Sequence, residues 1–156
     1  MKKEYISHSA EETEAIGGKI AKALDEASVR RAVIAMRGEM GVGKTAFTRG
    51  FLYALGGTGA KSPTYTVVNE YRARRMVFHF DMYRIEDEDD LYSIGYDDYL
   101  DRDGYAIIEW SENISELLPK KRITVTIQRC DEDESQRKIT VDIDGFAELI
   151  NDNACI

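Results

Sequence analysis

The sequence predicts an α/β layered domain built on a mixed sheet, and three observations carry that reading. Compact apolar runs suited to strands covered on both faces, Ala32 to Met36 and Tyr105 to Ile108, alternate with stretches of helical periodicity. A glycine-rich stretch, Gly38 to Thr45, separates the first of these runs from an amphipathic segment. Toward the C-terminus Ile123, Val125 and Ile127, then Ile139, Val141 and Ile143, alternate with polar residues on either side of an acidic turn, Asp131 to Glu134, which is the pattern of an antiparallel hairpin. Strands alternating with helices give stacked layers, and the hairpins make the sheet mixed.

The elements follow in order. Tyr5-Ile6 suits a short first strand. Ser9-Ala10-Glu11-Glu12 has the spacing of a capping box, and Ile16, Ile20, Ala23, Leu24 and Ala27 continue it at helical spacing. Thr45 to Leu55 reads as a helix with Phe47, Phe51, Leu52 and Leu55 inward, stopped by Gly56-Gly57. Lys61 to Thr64 is a loop. Tyr65 to Tyr71 and Met76 to Phe80 read as strands joined by a turn at Arg72 to Arg75. A helix is expected around Leu91, Tyr92 and Ile94, a short one over Ser111 to Leu118 closed by Pro119, and a last half-turn over Gly145 to Ile150. No repeat, linker or domain boundary interrupts the pattern, so one domain over 1–156 is expected.

Composition narrows the function. The chain has 156 residues, 43% hydrophobic and 32% charged, a soluble globular balance. No apolar run approaches the roughly 20 residues of a membrane span. The start, Met1-Lys2-Lys3-Glu4-Tyr5, lacks an apolar h-region, so a cytoplasmic location is expected. The net charge of −8 is localised: residues 86–103 hold nine acids against one base, Arg102. The remainder is neutral, which argues against unaided binding to nucleic acid or to an anionic membrane. Cys130 and Cys155 have no metal-site spacing and read as free thiols. The basic groups Arg72, Arg74, Arg75 and Lys120, Lys121, Arg122 read as solvated faces. The acids at 86–90 suit an exposed helix start, and their charge also suits a basic partner.

The chemistry is concentrated in Gly38-Glu39-Met40-Gly41-Val42-Gly43-Lys44-Thr45, followed by Ala46, which matches G-x-x-x-x-G-K-[ST]. A loop that wraps a phosphate must turn successive backbone N–H groups inward, and glycine permits this. The following helix adds its N-terminal amides and the positive end of its dipole. Lys44 supplies a full charge to the β- and γ-phosphates, and the Thr45 hydroxyl suits Mg²⁺. The strand-type run before the motif and the helix after it are the context a P-loop requires. The fold expected is therefore that of a P-loop NTPase, with a mixed central sheet flanked by helices and a C-terminal antiparallel hairpin.

A metal–nucleotide site also needs an acid at the end of a neighbouring buried strand. Glu109 ends Ala106-Ile107-Ile108, and Asp81 ends Val77-Phe78-His79-Phe80. Glu109 is assigned to Mg²⁺ through water, and Asp81 to the metal shell or to orienting the attacking water; the alternative for each is a solvated strand-end acid. His79 shares a face with Asp81 and reads as a hydrogen-bonded structural histidine rather than a base. Arg84 suits either a phosphate clamp or a partner for the acidic stretch. Trp110 suits either the core or a place beside the nucleotide. Thr64 offers a hydroxyl that senses the γ-phosphate or marks a rigid turn.

The P-loop is followed by Lys61-Ser62-Pro63-Thr64-Tyr65-Thr66-Val67-Val68-Asn69-Glu70-Tyr71, then His79-Phe80-Asp81-Met82-Tyr83-Arg84, then Ile107-Ile108-Glu109-Trp110. In this order and spacing the set resembles the TsaE (YjeE) family of small bacterial ATPases. It covers Gly38 to Trp110 closely and most of the rest loosely. The resemblance implies a Mg²⁺-dependent ATPase that cycles between ATP and ADP and works with TsaB and TsaD proteins. Those proteins make threonylcarbamoyladenosine in tRNA, so tRNA is met only through the complex. The resemblance places Thr45 and Glu109 at metal positions, Asp81 at a position important for hydrolysis, Thr64 in a switch-like loop and Trp110 near the nucleotide. It matches Ser9 and Arg137 to the base-binding side. Ser111 stands where many relatives have Pro, and Glu39 where many have Asp; neither touches the expected chemistry.

A small P-loop metabolite kinase would need an acceptor pocket and an Arg-bearing lid, and no lid is evident. A GTP-dependent switch would carry an N-K-x-D element, which is absent. A nucleotide-binding module without turnover would use nearly the same residues as an ATPase. With no clear arginine finger, hydrolysis is expected to be slow in a lone monomer and faster with a partner that orders the Thr64 loop.

Overall fold

The computed structural model describes residues 1–63 and 66–150. The first strand, β1 (Lys2–Ser7), leads into helix α1 (Ala10–Glu26), and strand β2 (Arg31–Arg37) into helix α2 (Lys44–Ala54). A hairpin follows, β3 (Val68–Tyr71) and β4 (Val77–Asp81), then two short helices, α3 (Glu88–Ser93) and α4 (Tyr96–Asp101). Strand β5 (Gly104–Glu109), a 3₁₀ segment (Ser111–Leu117), the hairpin β6 (Arg122–Arg129) and β7 (Arg137–Asp144), and a 3₁₀ turn (Ala147–Leu149) complete the described chain.

The strands form one 7-stranded sheet in the order β1-β7-β6-β2-β5-β4-β3. Its centre, β6-β2-β5-β4, is parallel. Both margins are antiparallel, β7 and β1 on one side and β3 on the other. This is the mixed sheet with a C-terminal hairpin that the sequence predicts. Burial follows the same division: every residue of β4 and β5 is buried, whereas β6 and β7 alternate, as strands covered on two faces or one should.

Helices α1 and α2 cover one face, packing Ile20, Leu24, Phe47 and Phe51 against Ile34, Met36, Ile107 and Val125. The other face, Val33, Ala35, Phe78, Phe80, Ala106 and Ile108, is covered by Leu91, Tyr96, Ile114 and Leu118. The α1–α2 contact is unusually close. A Cβ on Gly17 would collide with the Phe47 carbonyl, and one on Gly50 with the Glu14 carbonyl.

Several boundaries differ from the sequence expectation. The strand expected over Tyr65 to Tyr71 begins at Val68, because Thr66 and Val67 turn and Val67 takes φ +65°; Tyr65 lies outside the described residues. The single helix expected around Leu91 is two helices, broken at Gly95 with φ +72°. The segment after Trp110 is 3₁₀, with Ile114 out of helical geometry. Arg74 and Arg75 are not simply solvated: both donate to Asp25 at the end of α1, and Arg74 also donates to the Ala54 carbonyl at 2.8 Å. Cys155 lies outside the described residues, and Cys130 is a free thiol. Among the described residues no helix is long and apolar enough to cross a membrane.

Candidate functional site

Three parallel strands end at one edge of the sheet and deliver the site. β2 runs into the glycine-rich loop, β4 ends at Asp81, and β5 ends at Glu109 in register with Asp81. Gly38 takes φ +143° and Gly43 φ +120°, a region that side-chain-bearing residues rarely adopt. Gly38 also lies so near β6 that a Cβ there would stand 2.5 Å from the Ile127 carbonyl. Gly43 caps α2 without any side-chain hydrogen bond. The first amides of α2 thus meet no capping side chain, and an anion is their natural acceptor.

The loop's side chains divide by direction. Val42 and Ala46 are buried, whereas Glu39 and Met40 face solvent and offer only their backbone. Thr45 is half-buried at the start of α2. Lys44 is only 6% exposed. Its Nζ donates to the Gly38 carbonyl at 2.7 Å and stands 4.4 Å from the centre of the Trp110 ring. Trp110 therefore belongs to the loop's wall rather than to the deep core, and its ring lies 5.0 Å from that of Tyr83. It takes φ +55°, a strained backbone for a bulky residue. Ser111 helps fix that turn, its hydroxyl donating to the Met36 carbonyl at 3.0 Å.

The two acids are buried side by side, Asp81 at 9% and Glu109 at 4% exposure. Asp81 Oδ1 accepts the Tyr83 amide at 2.9 Å, and the Asp81 amide donates to Val67 at 2.8 Å. That second bond ties β4 to the loop that follows Pro63. Thr64 itself lies outside the described residues. His79 is fully buried, and its Nε2 stands 3.5 Å from Glu109 Oε1. The hydrogen bond expected for it is not made with hydrogen-bond geometry among the described residues, and Glu109 is the charged group that Nε2 approaches. Arg84 is exposed.

The opposite wall comes from α1 and the C-terminal hairpin. Arg137 Nε donates to the Val42 carbonyl at 2.8 Å, so β7 holds the loop from outside. Arg129, its register partner on β6, approaches Glu39 at 3.6 Å. Ser9 caps α1, its Oγ accepting the Glu12 amide at 3.1 Å. The reciprocal half of the expected capping box is displaced, since the Glu12 carboxylate accepts the amide of His8 instead. One turn on, the Thr13 side chain reaches the flank of Gly43 and shares a 2.8 Å bond with Ser7 Oγ. Sequence reasoning passed over Thr13, Arg129 and the His79–Glu109 contact. All three depend on strand order, which no local motif records.

The donor set suits a hard divalent cation, since Thr45 and Glu109 are oxygen donors. Among the described residues no group of three or more His, Cys, Asp or Glu could hold a metal unaided. Such an ion would therefore share its coordination with nucleotide phosphate and water, as Mg²⁺ commonly does. The phenols of Tyr96 and Tyr105, pushed up to about 12 by burial, lie elsewhere and remain neutral.

With this geometry in view, comparison with known proteins is informative. The sequence model of the family described as "Threonylcarbamoyl adenosine biosynthesis protein TsaE" matches residues 7–139. The Haemophilus influenzae protein named tRNA threonylcarbamoyladenosine biosynthesis protein TsaE is 41% identical over 119 residues, 74% of this chain and 75% of that one. Its namesake in Bacillus subtilis is 40% identical over 110 residues, 69% of this chain and 67% of that one. The crystal structure of Bacillus subtilis YdiB superposes with a TM-score of 0.75 at 30% identity, over 93% of this chain and 87% of that chain. The P-loop NTPase fold expected from the sequence is the fold observed, and the chain belongs to the TsaE family.

Proposed function

We propose that the chain binds and slowly hydrolyses ATP with Mg²⁺ in the cytoplasm, and that it thereby supports threonylcarbamoyladenosine modification of tRNA together with TsaB and TsaD proteins. The observation that carries this reading is the convergence at one sheet edge of the Gly38–Thr45 loop and the registered pair Asp81 and Glu109. In this reading the loop amides and Lys44 hold the β- and γ-phosphates. Thr45 would hold Mg²⁺, with Glu109 reaching it through water. When bound, the ion withdraws charge from the phosphate oxygens. Asp81, fixed by the Tyr83 amide, orients the attacking water. Trp110 closes the side of the site beside Lys44, and the start of α1 near Ser9, with Arg137, lines the base side. The Thr64 hydroxyl senses the γ-phosphate in this reading, and a partner that engages its loop raises turnover.

The test is Mg²⁺-dependent phosphate release from ATP and GTP, by the chain alone and with TsaB and TsaD proteins from the same source. The expected result is low release alone, a clear rise with the partners, and loss of both nucleotide binding and release in Lys44→Ala. Unchanged binding and release in that variant would overturn the phosphate-cradle assignment. ADP formed only when a small-molecule acceptor is supplied would favour a metabolite kinase.

A further inference from the structure

His79 occupies a position where a strand covered on both faces should carry an apolar side chain. Along β4 the residues facing α1 and α2 are Val77, His79 and Asp81, and the matching residues of β5 are Tyr105, Ile107 and Glu109. Val77, Tyr105 and Ile107 build the core. Asp81 and Glu109 form the mouth of the site. His79 is the polar interruption between the two, and it is wholly buried. Such a burial costs stability unless the group finds a partner, and a local rule broken beside a site is where function is expected.

The partner is identified by geometry. Asp81 stands directly opposite Glu109, and His79 stands diagonal to it, one step deeper on the neighbouring strand. Its Nε2 is 3.5 Å from Glu109 Oε1. An imidazole presents an N–H toward one carboxylate oxygen and leaves the other oxygen open. A lysine here would cancel the charge that a metal needs, and an aliphatic side chain would leave the carboxylate free to rotate.

We propose that His79 is a positioning residue for Glu109: its ring holds Oε1 from below, which leaves the other carboxylate oxygen for the metal shell. This rests on the reading of Glu109 as the metal carboxylate. Partners that orient ligands in this way are commonly worth about 10–100-fold in metal affinity.

The test measures metal binding directly, by electron paramagnetic resonance of Mn²⁺ titrated into the chain with saturating ADP. Fluorescence of Trp110, the one tryptophan, gives a second readout. His79→Phe is expected to raise the half-saturating Mn²⁺ concentration about tenfold, with ADP affinity in EDTA unchanged. His79→Gln, which keeps an N–H at similar reach, is expected to recover most of that loss. If His79→Phe fails to fold, as circular dichroism would show, His79→Asn carries the same expectation because its amide falls short of Glu109. Wild-type Mn²⁺ affinity in the folded variant, beside a clear loss in Glu109→Gln, would overturn the His79 role alone. Wild-type affinity in Glu109→Gln as well would overturn the metal reading and the inference with it.

Discussion

On one face of the sheet α1 and α2 meet backbone to backbone, at Gly17 against Phe47 and at Gly50 against Glu14, with no side chain between them. On the other face α3 and α4 are 6 residues each and rest on aromatic rings: Tyr99 lies 5.2 Å from Phe78 and 5.3 Å from Phe80, and Tyr96 lies 6.1 Å from Phe80. The first face carries Lys44, His79, Asp81 and Glu109. The second carries the acidic surplus on its outside and apolar rings within. Close glycine packing sets backbone against backbone with no side chain to yield, which suits a loop that must wrap a phosphate. Ring packing covers a sheet face with adaptable contacts. The difference teaches that the site's accuracy is inherited from how α1 presses on α2 within about two turns of the phosphate loop.

Gly50→Ala is the most direct way to break that arrangement. The added methyl group would meet the Glu14 carbonyl, a backbone atom that cannot swing aside. Overpacking of this kind costs about 3 kcal/mol at the upper end of the usual range. We expect a loss of that order in urea unfolding, and weakened nucleotide binding in the fraction that remains folded because α2 begins at Lys44. Near-native stability with native nucleotide affinity would show that the helices can separate without consequence.

A change on the other face sharpens the contrast. Phe78 is 1% exposed, and the Arg102 guanidinium stands 4.7 Å above its ring. Phe78→Leu removes that platform and leaves a small cavity, at a cost of about 1–2 kcal/mol. Nucleotide affinity should not change, because Phe78 points away from the face that carries the site. A loss of affinity comparable with the loss of stability would mean that the two faces are coupled.

Much of this was legible in the sequence, for physical reasons. The P-loop and the apolar runs on either side of it are local signals, and α2, β2 and β5 fall where those signals place them. Strand-end acids were also legible, since an ionised group after a buried run must face water or a site. What depended on strand order was not legible. Arg137 is 95 positions from Val42 in the chain, and nothing at either position announces the bond between them. Gly17 and Gly50 carry no apolar signal in the sequence, and only the contacts with Phe47 and Glu14 across the two helices give them meaning. The helix expected around Leu91, Tyr92 and Ile94 is α3, and the second helix after the break at Gly95 carries no comparable apolar run. His79 was assigned to the correct face, but a structural hydrogen bond was assumed where the ring instead approaches Glu109.

The smallest expected effect tests whether the far end of the first face helps to set its geometry. Asp25, at the end of α1, is gripped by Arg74 at 3.2 Å and Arg75 at 3.1 Å, both from the turn between β3 and β4. Arg74 also donates to the Ala54 carbonyl of α2, so the turn clamps both helices at the end away from the site. Burial alone would raise the Asp25 carboxyl, but hydrogen bonds from Arg75 and Arg74 hold it below its ordinary range. A lowered value in the folded state contributes stability above the ordinary carboxyl range, and that contribution disappears as pH falls through the lowered value. Asp25→Asn should therefore cost about 1 kcal/mol or less at pH 7, and the gap to the wild type should close below about pH 4. Thermal unfolding of both chains across that interval measures it. A gap that persists unchanged at low pH would show that Asp25 acts through packing rather than charge. Unchanged nucleotide affinity in the variant would leave the glycine contact, rather than this clamp, as what holds α1 and α2 in place.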